Sequence, residues 1–209
     1  MPKKLILFRH AKSDWTSGAA SDHARPLARR GMEAARVMGK FLMSAGEVPE
    51  QILCSSAVRA VATTQLAAKA GGWIIPVDFR DSLYLPETGS VIEEIRKAPD
   101  KLSSLMLVGH EPTWSDLAGR LIGHAVMRVP TGAMLRIDLD RDSWQAVDFG
   151  SGDLASAGQE DIFVAKLDAA GMADDTVIAV WGDHDAGFSW RPDIAAAMGV
   201  EYDPAGWYL

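Results

Sequence analysis

Three short apolar runs in this sequence each end in polar residues that could do chemistry. Leu5-Ile6-Leu7-Phe8 leads into Arg9-His10-Ala11-Lys12. Ile52-Leu53-Cys54-Ser55-Ser56 leads into Arg59, and Leu105-Met106-Leu107-Val108-Gly109 leads into His110-Glu111. In open α/β sheets, ligands bind outside the carboxyl ends of the strands. Two histidines and two arginines at three such ends can therefore meet in one pocket. Guanidinium groups match a phosphoryl group because they offer planar, bidentate donors. A neutral imidazole can attack phosphorus as a nucleophile. A second imidazole, if protonated, can hold the equatorial oxygens and stabilise charge in the transition state. A phosphoryl site of this composition needs neither a metal nor a cofactor. Taken singly, each residue has a plainer reading: a strand-end histidine, a helix-surface arginine, a histidine capping the next helix.

The surrounding pattern predicts the elements that would position these residues. The runs at 5–8, 52–54 and 105–108 are short and continuous, as expected of strands buried on both faces. Residues 27–44 carry Leu27, Met32, Ala35, Val37, Met38, Phe41 and Leu42 at helical spacing, closed by Ser44-Ala45-Gly46. Residues 57–70 form an Ala-rich helical segment closed by Gly71-Gly72, and 90–96 a third, stopped by Pro99. Residues 73–79 are strand-like, with Pro76 marking an edge or a break. Alternation over 133–138 and 144–149 predicts a hairpin across Asp140-Arg141-Asp142. Strands alternating with helices give an α/β architecture with a mainly parallel sheet.

Composition narrows the class. The chain has 209 residues, 48% of them apolar and 23% charged, enough for a sizeable core without staples. The lone cysteine, Cys54, excludes an intramolecular disulfide and a cysteine-based structural zinc site, and reads as a small buried hydrophobe. Cysteine usage suits a cytoplasmic location. A formal charge of −7 disfavours nucleic acid as a partner, and the basic cluster Arg25, Arg29, Arg30 and Arg36 is too sparse for a nucleic-acid arm. No stretch reaches the ~18 apolar residues of a membrane span. The apolar run after Met-Pro-Lys-Lys is too short for a secretory signal.

Taken in order, the motifs resemble a known family. Leu-Ile-Leu-Phe-Arg-His-Ala-Lys-Ser-Asp-Trp opens the set. Asp22-His23-Ala24-Arg25-Pro26-Leu27 follows, with Gly31 shortly after. Ser55-Ser56-Ala57-Val58-Arg59-Ala60 comes next, with Thr63-Thr64-Gln65 beyond it, and Val108-Gly109-His110-Glu111-Pro112 completes the set. The combination resembles the histidine phosphatase superfamily, and within it the small bacterial branch of SixA-type phosphohistidine phosphatases, over residues 3–152. The resemblance implies a three-layer α/β/α sandwich. It implies that His10 is the nucleophile that becomes transiently phosphorylated, and that Arg9, Arg59 and His110 complete the phosphate pocket. It also implies a phosphorylated protein as substrate, because the insertion used by larger relatives on small substrates is short here. Only 45 residues separate Arg59 from Leu105.

The sequence departs from the family pattern in three places. Ala11 stands where the motif has Gly, and Ala57 where a Ser-Pro step is usual. No general acid is obvious. Glu87 is the nearest candidate and Asp81 the runner-up, while a phosphohistidine leaving group asks less of an acid than an alkoxide does. Two alternatives stay open: a small-molecule phosphomonoesterase and a non-catalytic phosphate-binding module. Lys12, Ser13 and Arg25 are further phosphate-contact candidates, with a helix-start salt bridge as the other reading of Arg25. Trp15 and Trp114 are expected nearest the pocket rim, and His23 and His124 in structural or exposed roles.

Composition changes at Gly150-Ser151-Gly152, so residues 153–209 are expected to form a C-terminal extension to a 1–152 domain. It holds a helix candidate over 161–169 and an apolar run over 177–181. Its stretch from Phe163 to Asp183-His184 weakly resembles a sulfatase fragment, without that family's other metal ligands or its nucleophile.

Overall fold

Lys3–Arg9 forms the central strand β1, whose core side chains alternate between two apolar layers: Leu5 and Leu7 face one, Ile6 and Phe8 the other. The structure is a computed structural model that describes residues 3–122, 128–151, 162–165 and 178–181. In chain order the elements after β1 are α1 (Arg29–Ser44), β2 (Gln51–Ser55), α2 (Val58–Gly71), β3 (Val77–Arg80) and α3 (Thr88–Arg96). Then come β4 (Ser104–Gly109), α4 (Thr113–Leu121), β5 (Met134–Leu139), β6 (Ile162–Ala165) and β7 (Ile178–Trp181). The strand order is β3-β2-β4-β1-β5-β6-β7. The pairs β3–β2, β2–β4 and β4–β1 are parallel, and β5, β6 and β7 add on antiparallel.

The two apolar faces explain the layers. α3 and α4 bury Val91, Ile92, Ile95, Trp114, Leu117 and Leu121 against Leu5, Leu7, Leu53, Leu105 and Leu107. On the opposite face α1 and α2 bury Met38, Phe41, Leu42, Ala60 and Ala67 against Ile6, Phe8, Ile52, Met106 and Val108. This is the expected α/β/α sandwich with a mostly parallel sheet through its first five strands. α2 ends where Gly72 takes a left-handed conformation (φ +69°) that a Cβ would strain. β3, the short outer strand, begins after Pro76, whose carbonyl accepts from the Ile52 amide.

α1 and α2 touch through backbone. A Cβ on Gly39 would overlap the carbonyl oxygen of Ala67. Since both helices are fixed by the sheet beneath them, Gly39→Ala is expected to destabilise the fold by about 3 kcal/mol, read as a lower urea midpoint at unchanged slope.

Two elements differ from the sequence pattern. The second arm of the predicted 133–149 hairpin is no strand: Trp144–Ala146 is a short 3₁₀ turn. The buried Trp144 indole donates to the Leu102 carbonyl at 2.9 Å, and the Trp144 amide to Asp100 at 2.8 Å. Tertiary hydrogen bonds thus take the backbone and side chain that a hairpin would have used. The helix expected over 161–169 is also replaced, because Ile162–Ala165 is strand β6, paired with β5 and β7. The apolar run at 177–181 is strand β7. Asp183-His184, the rest of the extension and His124 lie outside the described residues. Among the described residues, no helix is long and apolar enough to cross a membrane.

Candidate active site

The β1–β4 ladder pairs Arg9 with Gly109, so the next residues, His10 and His110, leave the sheet side by side. The His10 amide donates to the Gly109 carbonyl at 3.0 Å, and the two imidazole centroids lie 5.0 Å apart. A Cβ on Gly109 would stand 2.6 Å from the Trp114 ring, whose Nε1 donates to the Phe8 carbonyl at 3.1 Å. Trp114 is therefore fully buried beneath the strand ends, not at the rim as the sequence suggested. Position 109 is kept without a side chain so that the indole can brace both strands.

The third strand end delivers Arg59. It sits in the first turn of α2, 2% exposed. Its Nε donates to His10 Nε2 at 3.1 Å, and its Nη2 lies 3.3 Å from His110 Nδ1. The Arg59 carbonyl accepts from the Thr63 hydroxyl, which in turn accepts from the Ala11 amide at 3.0 Å. One helical turn thus ties the backbone after His10 to the arginine that faces it.

These bonds fix the histidine tautomers. His10 Nδ1 lies 2.8 Å from the Ala11 carbonyl, which can only accept, so Nδ1 carries the proton. Nε2 is left as a lone pair turned towards Arg59. By the same logic His110 accepts from Arg59 at Nδ1 and donates from Nε2 to Ser55 Oγ at 2.8 Å. Burial is the main force pushing the His10 pKa down to about 3, helped by the Arg59, Arg9 and Arg25 charges and opposed by the Ala11 carbonyl. His110 falls to about 3 as well, through burial first and then His10 and Arg59. Arg9 donates to the Val129 carbonyl at 2.7 Å. Its charge bears on both imidazoles, and its own pKa is lowered by burial.

Such values set a pH signature. A base whose folded pKa lies below its unfolded value of about 6.5 favours folding fully above that value, and the contribution fades as pH falls towards about 3. Both imidazoles stay neutral across that window. Activity at pH 5 is thus expected within a few-fold of that at pH 7, while the urea midpoint drops. A kcat/KM profile falling through an acid limb near pH 6.5 would contradict this.

The loop between β1 and α1 closes the pocket. Its ends are pinned by the Ser13–Leu27 bridge and by Asp14 and Ala28 amide bonds to Pro26 and Lys12. The loop presents Asp22, whose Oδ1 accepts from Arg25 Nη2 at 2.6 Å. Its Oδ2 accepts from Arg59 Nη2 and from the Tyr84 hydroxyl, each at 2.9 Å. Arg25 also donates to Ser13 and stacks 3.6 Å above the exposed Trp15 ring. His23 bonds Ser56 and packs edge-on against Tyr84. Asp22, Ser55 and Thr63 stood in the quoted motifs without an assigned role and Tyr84 was not singled out, although Asp22 three residues before Arg25 was a readable salt-bridge spacing. Arg9, His10, Arg59 and His110 come together as expected. Glu87, by contrast, is exposed at the start of α3, Asp81 is exposed before Tyr84, and among the described residues neither carboxylate bonds to the pocket. Cys54 is buried, its thiol pushed up to about 12 by desolvation.

The arrangement is a cationic cluster of donors around the His10 lone pair, chemistry suited to phosphoryl transfer. Comparison with known proteins agrees. The model of the histidine phosphatase superfamily (branch 1) matches residues 5–85. An uncharacterised protein of Mycobacterium tuberculosis is 42% identical over 111 residues, 53% of this chain and 67% of its own. One from Mycobacterium leprae is 32% identical over 161 residues, covering 71% of this chain and 97% of its own. The chain belongs to the histidine phosphatase superfamily. As a histidine phosphatase it is a hydrolase of phosphorylated substrates. Its fold is that of the compact SixA branch. A structure from Agrobacterium tumefaciens named for the phosphohistidine phosphatase SixA superposes with a TM-score of 0.61 at 26% identity, covering 66% of this histidine phosphatase and 93% of that chain.

Proposed function

We propose that this histidine phosphatase removes phosphate from phosphohistidine on a protein, without a metal, through a phospho-His10 intermediate. One observation carries the reading: the Ala11 carbonyl holds the His10 proton at Nδ1, leaving Nε2 as a buried lone pair facing Arg59. In the first step Nε2 bonds to phosphorus as the substrate's P–N bond breaks, and the leaving imidazole takes a proton from solvent. Water then attacks the phosphoryl group, the His10–P bond breaks, and inorganic phosphate leaves. Arg59 and Arg9 hold the equatorial oxygens. His110 turns an N–H to the same oxygens, and the incoming dianion raises its pKa.

The substrate class follows from the acid. Glu87 stands away from the pocket, and the carboxylate at its mouth, Asp22, is held ionised, at about 2, by Arg25, Tyr84 and Arg59. Among the described residues the carboxylate bonded to the pocket arginines is held ionised, which suits an imidazole leaving group better than an alkoxide. The exposed Trp15, Val58 and Leu85 each neighbour a pocket residue in contact or in sequence, and would meet the surface of a protein substrate.

The test is phosphate release in EDTA from a phosphohistidine protein, a phosphoaspartate protein and para-nitrophenyl phosphate. Release from the first, faster by at least tenfold than from the ester, is expected. Release from the ester alone would make the enzyme a small-molecule phosphomonoesterase. No release from any substrate would leave a phosphate-binding module.

A further inference from the structure

The side-arm guanidiniums of the pocket are already occupied by an anion that belongs to the chain. Asp22 Oδ1 takes Arg25 (Nε at 3.2 Å, Nη2 at 2.6 Å), Oδ2 takes Arg59 Nη2 at 2.9 Å, and the Asp22 carbonyl takes Arg59 Nη1 at 2.5 Å. The Tyr84 hydroxyl adds a fourth side-chain bond at 2.9 Å. Arg59 is thereby spoken for on every nitrogen, since Nε faces His10. A phosphoryl group cannot take the two guanidiniums in bidentate fashion while the carboxylate keeps them.

Asp22 is nevertheless built to let go. Its side chain is 42% exposed, against 10% for Arg25 and 2% for Arg59. Arg59 is buried on α2 and Arg25 is buried on the loop it shares with Asp22, while the carboxylate stands at the solvent side. Its negative charge is also placed where a second anion must approach. Like charges brought close together at a partly buried site repel, so the carboxylate weakens retention of any oxyanion bound beside it.

We infer that Asp22 is an internal competitor for the phosphoryl group: it keeps Arg25 and Arg59 aimed in the empty enzyme, yields them to substrate, and retakes them to expel inorganic phosphate. Tyr84 steadies the carboxylate in the displaced and the docked positions. Asp22 is on this account a positioning residue, acting through the two arginines, and it sets the rate of product release. The inference rests on the proposed phosphoryl pocket.

The decisive readout is the sign of a change in phosphate affinity. Asp22→Asn keeps the shape and an acceptor oxygen but removes the charge. Calorimetric titration with inorganic phosphate is expected to show binding about tenfold tighter than wild type, with steeper product inhibition and a lower kcat at unchanged or lower KM. If Asp22 merely propped up Arg59, the same variant would bind phosphate more weakly and KM would rise, which overturns the inference and leaves the pocket assignment intact. No phosphate binding by wild type overturns both. A measurement on the wild type stands apart from the variant's folding: in crystals soaked with inorganic phosphate, the Asp22–Arg59 pair should be broken. Phosphate seated on Arg59 with that pair intact overturns the inference.

Discussion

Replacing His10 by Ala is expected to lower kcat on the phosphohistidine protein by roughly 10⁴-fold or more, with the fold retained. No other group at the site offers what is removed. His110 carries its lone pair on Nδ1 beside Arg59 and its proton on Nε2 towards Ser55, so attack from its Nε2 would need the other tautomer and the loss of the Ser55 bond. His10 is 7% exposed and loss of its imidazole leaves Arg59 Nε without its acceptor. Thermal unfolding must therefore be recorded beside activity. The direct check is radiolabel: wild type mixed with ³²P-labelled phosphohistidine protein and quenched in base should retain acid-labile label, and His10→Ala none. A variant that keeps more than a few per cent of activity would show that phosphorus never passes through this nitrogen.

Arg59→Ala carries the second large effect, a loss of about 10³-fold in kcat/KM. The guanidinium does three jobs at once. It orients His10 through Nε, it meets His110 through Nη2, and it offers the remaining donors outward to Asp22 or a phosphoryl group. Lysine cannot imitate this, because one ammonium on a flexible stem has no planar fork to serve acceptors on two sides. Arg59→Lys is thus expected to recover less than tenfold of the loss. Steady-state kinetics with a phosphate titration separates the jobs. Loss of phosphate affinity alone, with kcat kept, would mean that Arg59 does not orient the nucleophile.

Much of this was legible because the strands are short, apolar and buried on both faces, so that each ends abruptly in its polar residues. Arg9, His10, Arg59 and His110 could be marked for that reason, and α1, α2 and α3 could be read from the pattern, whereas α4 was not anticipated. What was not legible depends on the third dimension. The Trp144 segment alternates like a strand, but Asp100 and Leu102, far away in sequence, capture its amide and indole. Trp114 looked like a rim residue because it follows His110 closely; the bare backbone at Gly109 lets its ring slip beneath the sheet instead. Asp22 sits in a loop whose course no periodicity records, and its importance emerges only once Arg25, Arg59 and Tyr84 converge on it.

The pairing of Arg9 with Gly109 has a consequence for how the enzyme fails. The two imidazoles are spaced by a single interstrand step, about 4.8 Å against the 5.0 Å between their rings. Their distance is therefore read off a backbone ladder and not off adjustable side chains. A loosened state with helices still docked but β1 slipped by one residue against β4 would throw one ring to the opposite face. Turnover is then expected to act as a gauge of sheet registry, falling silent once the ladder slips.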